Sequence, residues 1–281
     1  MEKKVIISTW CTDDYRDYIG IDELTKSIHH FHPEIEHHIN NEPWTPETGN
    51  WNCAQMCLER TTYCDMVIHL DGDTIVLGDL NELISSDADM VGTLNNNTLG
   101  KAGGNDGITT PLHMYNSENE QYTPVGRDIA IDKWLNMGVL AMNNIDAWKE
   151  WERVNVAASS QGYRLPAPYG DENDTWNLVF HGGRFSTEII DDRGTNISYN
   201  LQSMWSDGPY NHYESWKNLY VKDEKVYYND PVSGVPHRVK VLHQAGGDYS
   251  NALNKEAGGF RNWLKRVVSP EVKDFIEHIT N

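Results

Sequence analysis

Met66-Val67-Ile68-His69-Leu70 is a strand-sized run, apolar but for one histidine, and it stops at Asp71-Gly72-Asp73-Thr74. No other stretch restricts the fold so tightly. Two carboxylates flank a glycine where a buried strand ends. Carboxylates are hard oxygen ligands, and a pair at this spacing can share one Mg2+ or Mn2+ that also binds phosphate oxygens. Gly72 lets the backbone approach a ligand closely. A plain polar turn uses the same residues, but the apolar strand just before the triplet favours the ligand site.

The remaining pattern supplies the sheet. Val5 to Thr9 reads as a first buried strand, and Tyr15 to Phe31 as a helix ended by Pro33. Glu34 to Asn40, Ala88 to Thr93, Val139 to Asn143, Ser186 to Ile190 and Val239 to His243 read as further strands. Ala54 to Thr62, Asp146 to Ser160 and Glu172 to Phe180 read as helices. Asn218 to Tyr228, split by Asp223-Glu224, reads as a hairpin. Phe260 to Val268 and Glu271 to Ile279 read as terminal helices separated by Pro270. Leu94 to Arg127 is polar and Gly-rich, without clear periodicity, and reads as a long functional or disordered loop. Strands alternating with helices predict an α/β fold with a Rossmann-like, mostly parallel central sheet flanked by helices and a C-terminal helical extension. In such sheets ligands bind beyond the carboxyl ends of the strands.

Charge narrows the partners. The 23 Lys and Arg against 42 Asp and Glu leave a net charge of −19, which argues against a basic surface that grips nucleic acid. A phosphorylated ligand is compatible only with a cation between it and the chain. The 10 Trp and 14 Tyr suit a sugar-binding surface as well as a core. No apolar run approaches the roughly 18 residues of a membrane span. The first apolar residues, Val5-Ile6-Ile7, are too few for a signal peptide. Cys11, Cys53, Cys57 and Cys64 make a poor disulfide framework and lack zinc-ligand spacing. Together these predict a soluble, cytoplasmic chain with reduced thiols.

Two chemistries use a strand followed by Asp-x-Asp and Thr. Haloacid-dehalogenase-type phosphatases use the first Asp as a nucleophile, normally after the first strand of the domain; the acidic pair Asp191-Asp192 would suit them. Nucleotide-sugar glycosyltransferases of the A type place the triplet mid-sheet, on a metal. An ordered set of motifs favours the second. Thr12-Asp13-Asp14-Tyr15 resembles the uracil-binding turn of glycogenin-like, family-eight retaining glycosyltransferases. The run from Asp71 to Leu80 is similar to that family's metal site and the segment after it. Asn136-Met137-Gly138-Val139-Leu140 resembles its Asn-Ser-Gly motif, and Gly170-Asp171-Glu172 with Trp176-Asn177 its Asp-Gln motif. Tyr199-Asn200 matches a late Tyr-Asn, and His243-Gln244-Ala245-Gly246 a C-terminal His-x-x-Gly.

The resemblance implies a role for each position. Asp71, Asp73 and His243 would bind a metal, Mn2+ in preference to Mg2+ because the set mixes oxygen and nitrogen. Thr9, Asp13, Tyr15, Asp71, Gly72, Asn136, Gly138, Asp171 and Gly246 would line the donor, with Tyr15 stacking on uracil and Asn136 and Asp171 meeting sugar hydroxyls. Asp171 and Glu172 would be the catalytic pair. It also implies one domain over residues 1–281: a nucleotide-binding half to about residue 93, a donor-sugar and acceptor half over about 94–250, and C-terminal helices from about 251. The expected reaction is transfer of a sugar, a hexose most of all, from a UDP-type donor to a glycan or other hydroxyl acceptor. Three positions depart from the family: Met137 replaces Ser, Glu172 replaces Gln, and Tyr249 stands where a Lys binds the diphosphate, a task left to Lys101, Lys255 or the metal. A silent nucleotide-sugar-binding module is the second alternative.

The remaining clusters are weaker. His29, His30, His32, His37 and His38 read as exposed residues at and after a helix end rather than a metal tract. Trp205 to Trp216, with Tyr210 and Tyr213, would either stack an acceptor sugar or pack in the core.

Overall fold

The computed structural model describes residues 3–11, 20–41, 57, 63–94, 111–116, 121–128, 135–160, 172–190, 196–202, 216, 218–229, 234–243 and 268–281. In chain order, its elements begin with β1 (Val5–Trp10), α1 (Ile21–Phe31), β2 (Glu36–Asn40), β3 (Met66–Leu70), β4 (Thr74–Val76), α2 (Asn81–Ser85) and β5 (Met90–Leu94). The middle of the chain holds β6 (Pro111–Asn116), β7 (Gln121–Asp128), β8 (Leu135–Met142), α3 (Ile145–Ser160), α4 (Glu172–His181) and β9 (Thr187–Ile189). The last part holds β10 (Ile197–Ser198), β11 (Leu201–Gln202), β12 (Tyr220–Lys222), β13 (Lys225–Asn229), β14 (Pro236–Val239), β15 (Val241–His243) and α5 (Pro270–Ile279).

The central sheet has six strands in the order β2-β1-β3-β8-β5-β9. β2, β1 and β3 run parallel, β5 and β9 run parallel, and only β8 is reversed. The sheet is therefore mostly parallel, as the sequence predicts. Its edge strands β2 and β9 are polar, while its inner strands β3, β8 and β5 are largely buried and mostly apolar because both faces are covered. Alternate residues of β8 show this: Val139 and Ala141 join a cluster with α1 and α2, while Leu140 and Met142 join one with α3 and α4. α1 presents Ile21, Leu24, Ser27 and Ile28 to the first cluster, a helical stripe. The other face holds Trp148, Trp151 and Trp176, all fully buried.

A third cluster sits under the small sheets β11-β15-β4 and β10-β14-β13-β12, capped by α5. α5 starts at Pro270, with Ser269 as its cap accepting from the Val272 N–H; the proline opens this helix, since it lacks only an N–H that is unpaired there anyway.

Several expectations need correction. The stretch from Leu94 to Arg127, expected as a loop, contains the antiparallel pair β6–β7. The run from Val239 to His243, expected as one strand, is two, broken at Lys240. The helix expected from Tyr15 begins at Ile21, after Gly20 in the left-handed conformation. His32 is not exposed but 4 % accessible, with its Nε2 accepting from the Leu80 N–H at 2.7 Å. His37 bridges Thr9 and Thr25. Trp216 is a core residue; Trp205, Tyr210 and Tyr213 lie outside the described residues, as do the expected helices over 54–62 and 260–268 apart from Cys57 and Val268. No helix among the described residues is long and apolar enough to cross a membrane.

Candidate active site

Strand registers assemble the site. Leu70 pairs with Val139, so Asp71 follows opposite Gly138, and its N–H donates to the Gly138 carbonyl at 2.9 Å. His243, last residue of β15, pairs with Thr74, which places its ring beside Asp73. Between β5 and β8 the register jumps: Gly92 pairs with Leu140, but Thr93 pairs with Asn136. The extra residues of β8, Met137 to Val139, form a bulge, a device that re-aims side chains beside sites. A Cβ on Gly138 would lie 2.1 Å from Cε1 of His243, so only glycine leaves the ring its place.

Asp71, Asp73 and His243 converge. Nε2 of His243 lies 3.4 Å from Oδ2 of Asp71 and 3.3 Å from Oδ1 of Asp73, and one ligand atom from each residue lies within 4.8 Å of the others. Asp73 and His243 are buried, and Asp71 is partly exposed. Two carboxylates and an imidazole nitrogen gathered in a buried site repel one another unless a positive charge lies between them. Without a metal, His243 supplies that charge. Burial alone would lower its pKa, but the Asp73 charge and the hydrogen bonds to both acids outweigh it and raise it to about 9. The residues fit a divalent cation: hard oxygens with one imidazole, on rigid strand ends.

Asp71 is held from behind. His69 Nε2 bonds Asp71 Oδ1 at 2.9 Å, and the His69 ring also hydrogen-bonds Cys57. Burial opposes the charge on His69, yet the bonds to Asp71 and Cys57 raise its pKa to about 10. Burial alone would raise Asp71, but the bonds from His243 and His69 hold its carboxyl well below the usual range. Both oxygens of Asp71 are thus oriented by buried histidines. Sequence reasoning gives His69 no role: Asp71 is two residues on, but only the fold turns the ring toward it and brings Cys57 to the ring.

Behind β15 lies an ionic cluster. Lys240, fully buried, donates to Asp79 Oδ1 at 3.0 Å, to the Asp79 carbonyl at 2.8 Å and to Glu82 Oε2 at 3.1 Å. Arg238 donates to Asp79 Oδ2 at 2.7 Å, and the Tyr199 hydroxyl donates to Glu82. Burial pushes Asp79 up, but Lys240 and Arg238 together hold it well below the carboxylate range. This cluster pins the segment after the acidic triplet to the strand that ends in His243.

The other expected site residues divide. Asn136 and Gly138 stand beside His243. Thr9 is fully buried, with its hydroxyl on His37 Nε2 at 2.9 Å. Gly72 is buried in the turn between the two acids. Glu172 opens α4, but its side chain is not among the described ones. Asp13, Tyr15, Asp171, Gly246, Lys101, Tyr249 and Lys255 lie outside the described residues, as do Asp191 and Asp192.

No family model and no curated protein matches the chain. Solved structures do. The bifunctional glycosyltransferase WbbM aligns over 99 % of this chain and 52 % of its own, at 13 % identity and a TM-score of 0.51. The galactosyltransferase LgtC, solved with donor and acceptor sugar analogs, aligns over 96 % of this chain and 99 % of its own, at 16 % identity and a TM-score of 0.48. A glycosyltransferase involved in glycosylation of the major capsid of PBCV-1 aligns over 88 % and 96 %, at 13 % identity and a TM-score of 0.49. The likeness to WbbM, with the sheet order above, gives the architecture: this chain has the A-type glycosyltransferase fold.

Proposed function

We propose that the protein is a metal-dependent glycosyltransferase that moves a sugar from a nucleoside-diphosphate donor, a UDP-hexose, to a glycan or other hydroxyl acceptor with retention of configuration. The observation that carries this reading is the convergence of Asp71, Asp73 and His243 at strand ends of the A-type fold. A divalent cation held there, Mn2+ by its ligand set, supplies Lewis-acid neutralisation of the charge that builds on the departing diphosphate. The chain's own residues do the rest. Asp71 and Asp73 stay ionised as ligands, with His69 steadying Asp71. Asn136 offers hydrogen bonds to donor hydroxyls from the β8 bulge. Asp13 and Tyr15 hold the uracil, and Asp171 binds the sugar. Glu172 stabilises the positive charge that develops at the anomeric carbon, or attacks that carbon to form a covalent intermediate.

Donor hydrolysis with a panel of nucleotide sugars, with and without Mn2+, tests the reading. The expected result is metal-dependent release of UDP from a UDP-hexose, lost in Asp71→Ala and Asp73→Ala, with circular dichroism confirming that each variant is folded at the assay temperature. Release of phosphate from phosphate monoesters in its place would assign the phosphatase class. Binding of UDP without turnover on any donor would leave a silent binding module.

A further inference from the structure

The Asn200 carboxamide bonds Thr93, Asn136 and His243, and hydrogen-bond logic fixes which way it faces. The Gly138 N–H donates to an atom of the Asn136 carboxamide at 2.8 Å. A backbone N–H can only donate, so that atom is the oxygen. The Asn200 atom 3.0 Å from the same oxygen must therefore be Nδ2. Its other proton goes to Thr93 Oγ1 at 3.0 Å, and Thr93 passes its own proton to the Val139 carbonyl at 2.7 Å. What remains is the Asn200 carbonyl oxygen, 2.9 Å from Nδ1 of His243. That oxygen can only accept, so Nδ1 carries a hydrogen, and Nε2 is the nitrogen turned toward Asp71 and Asp73. Asn200 is fully buried, as are Thr93 and His243.

We propose that Asn200 is the positioning residue of the site: its carboxamide, anchored on Thr93 and Asn136, fixes the His243 ring as an Nε2 ligand. The inference rests on the metal-dependent reading above. A ring held through its second nitrogen loses little freedom when it takes a metal, and such outer partners typically matter by about 10- to 100-fold in metal affinity. The bond spans 43 residues of sequence, from a turn after β10 to the end of β15. It also commits the Asn136 oxygen to two donors, so that carboxamide can meet a sugar hydroxyl only through its NH2 group.

The test is Mn2+ affinity, read from the loss of the free-ion electron paramagnetic resonance signal, on the whole chain without nucleotide. Asn200→Ala and the near-isosteric Asn200→Leu should both weaken Mn2+ binding by about tenfold or more. Asn200→Asp, which still accepts from Nδ1, should bind more tightly than either. On a His243→Ala background, Asn200→Ala should add nothing, since the effect runs through the ring. Thermal unfolding of each variant reports the fold separately. Asn200→Leu with wild-type affinity would show a packing role and overturn the proposal, and so would full additivity with His243→Ala. A wild-type chain that takes up no Mn2+ would overturn the metal-dependent reading itself.

Discussion

A Cβ built on Gly138 would stand 2.1 Å from Cε1 and 2.5 Å from Nδ1 of His243, and 2.9 Å from Oδ1 of Asn136. The ring cannot yield easily, because Asn200 holds one nitrogen and the two acids surround the other. Gly138→Ala should therefore displace His243 and lower Mn2+ affinity by about tenfold or more, the scale of losing a ligand's alignment. A direct Mn2+ titration checks this, and wild-type affinity would mean that His243 is not a ligand. The position was legible in the sequence as part of an Asn-x-Gly motif, though for another reason: the motif suggested contact with donor sugar, and the geometry adds space for a ring. Asp71, Asp73 and His243 were legible because acids at a strand end and a late His-x-x-Gly are local patterns. The role of His69 is not legible, although Asp71 stands only two residues on, because nothing in an apolar strand run says which way a histidine ring turns. Asn200 is legible only as half of a Tyr-Asn motif, and its tie to His243 needs the fold. Thr9 was legible as a strand end, but its hydroxyl turns inward to His37.

Among the elements, the break between β14 and β15 shows where local pattern fails. Val239-Lys240-Val241-Leu242-His243 reads as one strand with a charged residue in it. In the fold, Lys240 is the point where the chain passes from one small sheet to the other, and its ammonium lies among Asp79, the Asp79 carbonyl and Glu82. Its N–H donates to Ser198, and its carbonyl accepts from Leu77. Lys240→Met keeps the volume and removes the charge. Removing one partner of a buried ion pair costs about 3–5 kcal/mol. The lower end, about 3 kcal/mol, is expected here, because Asp79 and Glu82 are 31 % and 40 % exposed and can rehydrate. Urea unfolding measures this, and a loss under about 1 kcal/mol would show that Arg238 alone satisfies Asp79. The β6–β7 pair is illegible in the sequence for a related reason. Its sequence, from Pro111 to Asp128, is polar enough to read as a loop, and what makes it a hairpin is the partner strand. The β12–β13 hairpin is legible because Asp223 and Glu224 at its tip are a local signal; both adopt positive φ.

For the molecule as a whole, the net charge of −19 sets the terms on which a diphosphate can bind. The field of such a chain repels an anion before any contact forms. The site adds Asp71 and Asp73 to that field. A cation shared between the acids and the diphosphate reverses the sign locally, so nucleotide and metal should bind as one unit. UDP in EDTA should leave the melting temperature unchanged. UDP with Mn2+ should raise it, because a ligand that binds only the folded state stabilises that state by RT ln(1 + [L]/Kd), about 2.7 kcal/mol at a hundred times Kd. For a chain of this size each kcal/mol moves the midpoint by roughly 2–4 °C, so the shift is several degrees. Mn2+ alone should give a smaller rise, and excess EDTA should reverse both. Equal stabilisation by UDP in EDTA would mean that side chains such as Lys101 or Lys255 hold the diphosphate directly, and the cation bridge would have to be abandoned.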